Sequence, residues 1–253
     1  MTTAEGEATR TWFRRYRPVA RPRARLVCFA HAGGGPSAFR SWHEGLPSDV
    51  EVLGVRYPGR QDRVVEDCVA RMEPLADAIA DAVKPLLDRP MVFFGHSMGA
   101  WVAYEVALRL HRDHGFSLDQ LLVSGQVAPH RHEPGGEDPG AEAVIAEVRR
   151  LGGYDAQLFE DPELRELVLP AILADFSLVR TYACDPQRRV DAPVVALFGE
   201  QDEDARPEDV RAWAERTTGG YAQRSFPGGH FYLAEHETAL LREISALLAP
   251  AHA

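Results

Sequence analysis

Gly95-His-Ser-Met-Gly99 sets one serine between two glycines at G-x-S-x-G spacing. A serine hydroxyl at such a position can serve as a nucleophile, provided the chain turns sharply enough to expose it at a helix N-terminus. A simple N-cap serine would explain Ser97 but not Gly95 and Gly99 together. The hydroxyl is weak and needs a base within hydrogen-bond reach. With a serine nucleophile of this kind, the acid and then the histidine follow in chain order. His230, in Phe226-Pro-Gly-Gly-His230, lies in a glycine-rich loop just past a strand-like run and is the expected base. His236, the rival, is expected inside the next helix. Asp202, in Phe198-Gly-Glu-Gln-Asp202, is the expected acid that orients the imidazole, with Glu200 as second choice. Glu203 and Asp204 read as a solvated acidic loop.

Acyl transfer also needs donors for the oxyanion, each worth about 3–4 kcal/mol where measured. The backbone N–H of Met98, next after the nucleophile, is one expected donor. Ala30-His-Ala-Gly-Gly-Gly35 follows an early strand-like run, and the N–H of Ala32 is the other. A phosphate-binding reading of this loop is weak, because it lacks the Gly-Lys-Ser/Thr ending of a P-loop and the spacing of a dinucleotide fingerprint.

These groups need strand ends to hold them. Short apolar runs read as strands at Arg25–Ala30, Val50–Arg56, Met91–Phe94, Leu121–Ser124, Val194–Phe198 and Tyr221–Phe226. Helical spacing predicts helices over Pro74–Leu87, Met98–His114, Glu208–Arg216 and Phe231–Leu248. The alternation implies an α/β fold, a mostly parallel sheet with helices on both faces. From 130 to 186 no strand is expected. A polar Gly/Pro-rich loop leads instead into two helical patterns, Ala141–Leu151 and Asp161–Tyr182. The second carries Leu164, Leu167, Val168, Ala171, Ile172, Phe176 and Val179 on one face and Pro170 as an expected kink. We read 1–129 and 187–253 as the core and 130–186 as a helical lid over the site.

The chain has 253 residues, 45% of them hydrophobic, which is enough for one large core. No run of about 20 apolar residues could span a bilayer, and the polar first residues lack a secretory signal, so a cytoplasmic protein is expected. Three widely spaced cysteines (Cys28, Cys68 and Cys184) fit neither a disulfide framework nor zinc. His130-Arg-His132 lacks a third ligand nearby, and no metal is expected. The net charge of −10 argues against nucleic acid as a partner. Seven arginines among residues 1–25 offset this locally, as a contact for an acidic partner or as a solvated terminus.

Several segments together resemble the stand-alone type II thioesterases of polyketide and nonribosomal peptide biosynthesis. They are Trp12-Phe-Arg-Arg-Tyr16, Cys28-Phe-Ala-His-Ala-Gly-Gly34, Tyr57-Pro-Gly-Arg-Gln-Asp-Arg63, Phe94-Gly-His-Ser-Met-Gly-Ala100, Ser124-Gly-Gln-Val-Ala-Pro129, Leu169-Pro-Ala-Ile-Leu-Ala-Asp-Phe176, Gly199-Glu-Gln-Asp202 and Gly229-His230. The resemblance implies an α/β-hydrolase fold and hydrolysis of acyl thioesters held on the phosphopantetheine arm of a carrier protein, through an acyl-serine on Ser97. It implies no cofactor of the enzyme's own, an acyl or peptidyl carrier protein as partner, and removal of stalled or aberrant acyl units. The basic N-terminal stretch, Arg60 and Arg63 are candidate carrier contacts, though the two arginines could equally pin their own loop. Tyr154 departs from the family pattern, and with Phe176 and Phe231 is a candidate for shaping the substrate chamber. An integrated terminal domain is disfavoured by the free N-terminus and the lack of a carrier domain on the chain. The same fold could also serve a small-molecule carboxylesterase using the same triad, or a non-catalytic ligand receptor on a hydrolase scaffold.

Overall fold

The computed structural model describes residues 3–136, 139–152 and 159–249. Seven strands form one sheet: β1 (Phe13–Arg15), β2 (Ala24–Phe29), β3 (Val50–Val55), β4 (Met91–His96), β5 (Gln120–Ser124), β6 (Val194–Gly199) and β7 (Tyr221–Phe226). Their order across the sheet is β1-β3-β2-β4-β5-β6-β7. Every pairing is parallel except β1 on β3. All residues of β2, β3, β4 and β6 are buried, as expected of parallel strands covered on both faces. The covering helices are α1 (Thr3–Trp12), α2 (Trp42–Gly45), α3 (Met72–Val83), α4 (Met98–His114), α5 (Gly140–Leu151), α6 (Pro162–Thr181), α7 (Pro207–Val210), α8 (Tyr232–Glu235) and α9 (Glu237–Leu247).

The six expected strands form within a residue or two of their expected bounds, whereas β1 has no counterpart among them. Phe13 is its buried anchor, and the run is too short to show a period. The expected helix Phe231–Leu248 is two helices. His236 sits at the junction of α8 and α9, with N–H donated to Tyr232 O at 2.8 Å, rather than inside a helix. The expected helix Glu208–Arg216 is a single α-turn continued as a 3₁₀ run over Arg211–Arg216.

The arginine-rich stretch is folded into the sheet edge. Arg15 and Arg25 converge on buried Glu51, Arg25 also reaches Asp88 at 2.6 Å, and Arg23 pairs with Asp49 at 2.9 Å. Within 130–186, α5 and α6 share a small apolar cluster of Val144, Ile145, Val148, Phe159 and Ile172, separate from the main core. Asp161 caps α6 by accepting from the N–H groups of Glu163 and Leu164 at 2.9 and 3.2 Å. The helix runs unbroken through Pro170. Its apolar face is shorter than the sequence pattern implies, since Leu164 and Leu167 are exposed at 41% and 54%. On the solvent side Arg150 of α5 bridges Glu147 and Asp204, tying the insertion to the loop after β6. Among the described residues no helix is long and apolar enough to cross a membrane.

Candidate active site

The sheet order reverses between β2 and β4, which are direct neighbours although β3 intervenes in sequence. Open α/β sheets bind ligands at such a crevice, outside the carboxyl ends of the strands. Ser97 lies there, at the end of β4, with φ 54° and ψ −125°. Among the described residues it shares a positive φ with one other non-glycine, Gln61. For a serine this backbone is strained, and strain of this kind marks positions where exposing a side chain outweighs its cost. Its N–H donates to Ser124 O at 2.8 Å, and its carbonyl accepts from Ala100 at 2.9 Å. The turn fits only because its flanks lack side chains. A Cβ on Gly95 would collide with the Gly99 carbonyl, and one on Gly99 with the Phe29 carbonyl of β2.

The ends of β6 and β7 are zipped together beyond the sheet proper. Glu200 N–H donates to Phe226 O and Gln201 N–H to Gly228 O, both at 2.9 Å. This pairing brings Asp202 to His230. The Asp202 Oδ2 accepts from His230 Nδ1 at 2.8 Å, and its Oδ1 accepts from the Asp204 N–H at 3.1 Å. Both residues are buried, at 5% and 7% exposure. His230 Nε2 has no hydrogen-bond partner among the described residues, so its second nitrogen remains for a proton shared with Ser97 or with a ligand. Glu200 is turned away, accepting from Ser225 Oγ at 3.0 Å on the exposed side of the sheet end.

A cavity of about 180 Å³ collects these groups. Ser97, Met98, Ala32, His230, Phe176 and Phe231 all line it. Val148 and Leu151 of α5, with Val179 of α6, complete its apolar side. Tyr154 falls outside the described residues. A larger space of about 570 Å³ adjoins along His31 and Phe231 and is bordered by Trp42, Gln61 and Leu167. Phe231 stands between the two, its ring edge-on to His31 at 4.8 Å, His230 at 5.2 Å and His96 at 5.5 Å.

Two groups here were given no catalytic role by sequence reasoning, although the first lies inside the Gly95–Gly99 motif. His96, directly before Ser97, is fully buried, and its Nδ1 pairs with Ser124 Oγ at 3.0 Å. Ser124 Oγ in turn pairs with Tyr232 hydroxyl at 2.7 Å. Burial, with His230 and His31 nearby, holds the His96 pKa well below the ordinary imidazole value, so it stays neutral. The second group is the buried pair of Arg60 and Asp175. Arg60 is among the expected carrier contacts, but its Nη2 donates to Asp175 Oδ1 at 2.8 Å inside the molecule. Arg63 is likewise engaged, with Glu66 at 2.8 Å, Arg56 O at 2.7 Å and the Trp12 ring at 4.3 Å. His130 pairs with Glu215 and His132 packs on the Trp101 ring, so the two point to separate partners.

A sheet of this order, with a nucleophile-type turn after β4 and an Asp–His pair after β6 and β7, defines the α/β-hydrolase class. Comparison with known proteins narrows that class. A thioesterase-domain family model matches residues 24–248. A probable cadicidin biosynthesis thioesterase of Streptomyces griseus is 39% identical over 99% of this chain and 69% of its own length. Thioesterase PikA5 of Streptomyces venezuelae is 40% identical over 92% of this chain and 84% of its own. Among solved structures, the type II thioesterase BorB from the borrelidin cluster superimposes with a TM-score of 0.86 at 38% identity, covering 94% of this chain and 98% of that one. RedJ, a thioesterase from the prodiginine pathway of Streptomyces coelicolor, gives 0.83 at 38% identity over 91% of each chain. The chain belongs to the thioesterase family, as a type II enzyme.

Proposed function

We propose that this thioesterase removes acyl groups from the phosphopantetheine arm of carrier proteins through an acyl-serine on Ser97. The buried 2.8 Å contact between His230 Nδ1 and Asp202 carries the reading, because it commits one imidazole nitrogen to the acid and leaves the other for the serine side. In this mechanism His230 Nε2 takes the Ser97 proton as Oγ attacks the thioester carbonyl. Asp202 holds the tautomer and offsets the imidazolium charge. The N–H groups of Ala32 and Met98 stabilise the oxyanion. The N–H of Gly33, next in the loop, is already donated to Asp175 at 2.7 Å and that of Gly34 to His31 O at 3.0 Å, which supports Ala32 as the loop's donor. Collapse of the tetrahedral intermediate breaks the C–S bond, and the leaving sulfur takes the proton from His230 and departs as the pantetheine thiol. A water deprotonated by His230 then attacks the acyl-serine; that proton passes to Ser97 Oγ as the ester bond breaks and the free acid leaves. The phosphopantetheine belongs to the substrate, and the chemistry draws on no cofactor of the enzyme.

Residues 130–186 serve as the lid, with Phe176 on its inner side and Phe231 on the core side of the chamber. Burial of Arg60 and Arg63 removes both from the carrier-binding face. Hydrolysis of one acyl series, offered on carrier-protein phosphopantetheine and as simple oxygen esters, tests the reading with wild type and Ser97→Ala. A preference for the carrier-bound thioester, lost in the variant, is expected. A preference for the oxygen ester would instead make the chain a general esterase.

A further inference from the structure

The buried Arg60–Asp175 pair has no part in the steps above, yet it is an expensive feature. Asp175 is 1% exposed and Arg60 8%. A buried ion pair commonly stabilises a fold no better than well-packed apolar side chains of the same volume, so its geometry asks for another account. Asp175 Oδ1 accepts from Arg60 Nη2 at 2.8 Å, while Oδ2 accepts both Arg60 Nη1 and the Gly33 N–H, the latter at 2.7 Å. Arg60 Nη1 also reaches the Gly34 carbonyl at 3.2 Å. The guanidinium lies 5.2 Å from the Tyr57 ring, whose hydroxyl donates to Ala30 O at 3.4 Å. The contacts therefore fall on Ala30, Gly33 and Gly34, on both sides of Ala32. Gly33 itself is at φ +80°, and Ile172 packs so closely on it that an added Cβ would sit 2.8 Å from Ile172 Cγ1. Ile172 and Asp175 are three apart on α6 and share a face. One helical turn of the insertion thus grips the loop that follows β2.

We infer that Asp175 and Arg60 are positioning residues for the oxyanion hole, fixing the Gly33 and Gly34 peptides so that the Ala32 N–H is aimed at the substrate oxygen. The hole is then complete only while α6 is seated. Movement of α6 by about the length of a hydrogen bond frees the Gly33 N–H, and a loop with three consecutive glycines has many other conformations open to it. This rests on the roles proposed for Ser97 and Ala32.

The double variant Arg60→Met/Asp175→Leu tests it, because it replaces the pair with apolar side chains of similar length and removes the acceptor for Gly33. A structural role alone predicts that thermal midpoint and turnover both hold at or near wild type. Positioning predicts a midpoint near wild type, KM for a carrier-bound acyl thioester within about threefold, and kcat lower by about 10²-fold. The pH–rate profile should stay in place, since Asp202 and His230 are untouched. Wild-type kcat in the folded double variant overturns the inference, as does a fall in kcat that only tracks loss of folded protein. Should the double variant not fold, Asp175→Asn is read by its affinity for an acyl trifluoromethyl ketone, which mimics the oxyanion. Loss of about tenfold, matched in kcat with KM unchanged, supports the inference, and unchanged affinity overturns it. Ser97→Ala is run alongside. Full turnover by Ser97→Ala would sink the acyl-serine reading itself, whereas an inactive Ser97→Ala beside a fully active double variant sinks only the positioning role.

Discussion

Replacing Asp202 with asparagine should abolish most turnover while leaving the fold in place. In the native arrangement one carboxylate oxygen accepts from His230 Nδ1 at 2.8 Å and the other from the Asp204 N–H at 3.1 Å. An amide has a single acceptor oxygen. If that oxygen keeps the Asp204 N–H, the NH₂ faces His230 Nδ1, which must become the acceptor and send its proton to Nε2. The base then presents a proton where Ser97 needs a lone pair. If the amide flips, its NH₂ meets the Asp204 N–H, donor against donor, at a cost of about 1–3 kcal/mol. The flip therefore offers no free escape. The same change in a serine protease lowers kcat by about 10⁴, equivalent to roughly 5.4 kcal/mol at 1.36 kcal/mol per decade. Loss of 10³–10⁴ in kcat is expected here, followed by thiol release from an acyl-pantetheine substrate at pH 7, with the thermal midpoint within a few degrees of wild type. Activity within tenfold of wild type would refute the assignment of Asp202 as the orienting acid.

Two further outcomes follow from buried groups near Ser97. Buried His96 resists protonation while the unfolded chain takes up a proton near pH 6.5, so its contribution to stability is complete above about pH 6.5 and declines as the pH falls toward its depressed folded value. Denaturant melts between pH 7 and 5 should show a slope approaching 1.4 kcal/mol per pH unit from this group, and His96→Gln should flatten it; an unchanged slope in the variant would assign the effect to other groups. Gly99→Ala should destabilise by more than about 3 kcal/mol, because its Cβ has no room against the Phe29 carbonyl and α4 would have to leave β2. A urea midpoint near wild type for that variant would mean that the turn can open at little cost.

The sharp turn at Ser97 was legible because its glycines stand between an apolar run that reads as a strand and a pattern that reads as a helix. The pairing of His230 with Asp202 was legible through chain order and through their place just past apolar runs. Asp175 was not. It lies within Leu169-Pro-Ala-Ile-Leu-Ala-Asp-Phe176, where an acid three residues after Ile172 on the apolar face of a helix was the available signal. Its partners Arg60 and Gly33 lie more than a hundred residues away, and no local pattern joins them. The helix break at His236 was hidden for the opposite reason. Apolar spacing continues across it, and only the hydrogen bonds around Tyr232 and His236 end α8 there. Leu164 and Leu167 match the helical period yet are exposed and stand outside the small cluster that α5 and α6 share.

The pairing of β5 with β6 sets Leu121 beside Val194 and Ser124 beside Leu197, so the chain leaves the sheet at Ser124 and returns at Val194 to an adjacent strand. To the sheet, the whole intervening segment is a tether between two neighbouring points. The closure entropy of such a tether rises only logarithmically with its length, by about 0.6 kcal/mol per doubling. Residues can therefore be added to or removed from this excursion at little cost to the sheet, and the cavity beside Ser97 reshaped with them. The exception is the turn carrying Ile172 and Asp175, which is moored to Gly33 and must keep its distance from β2 however the rest of the tether drifts.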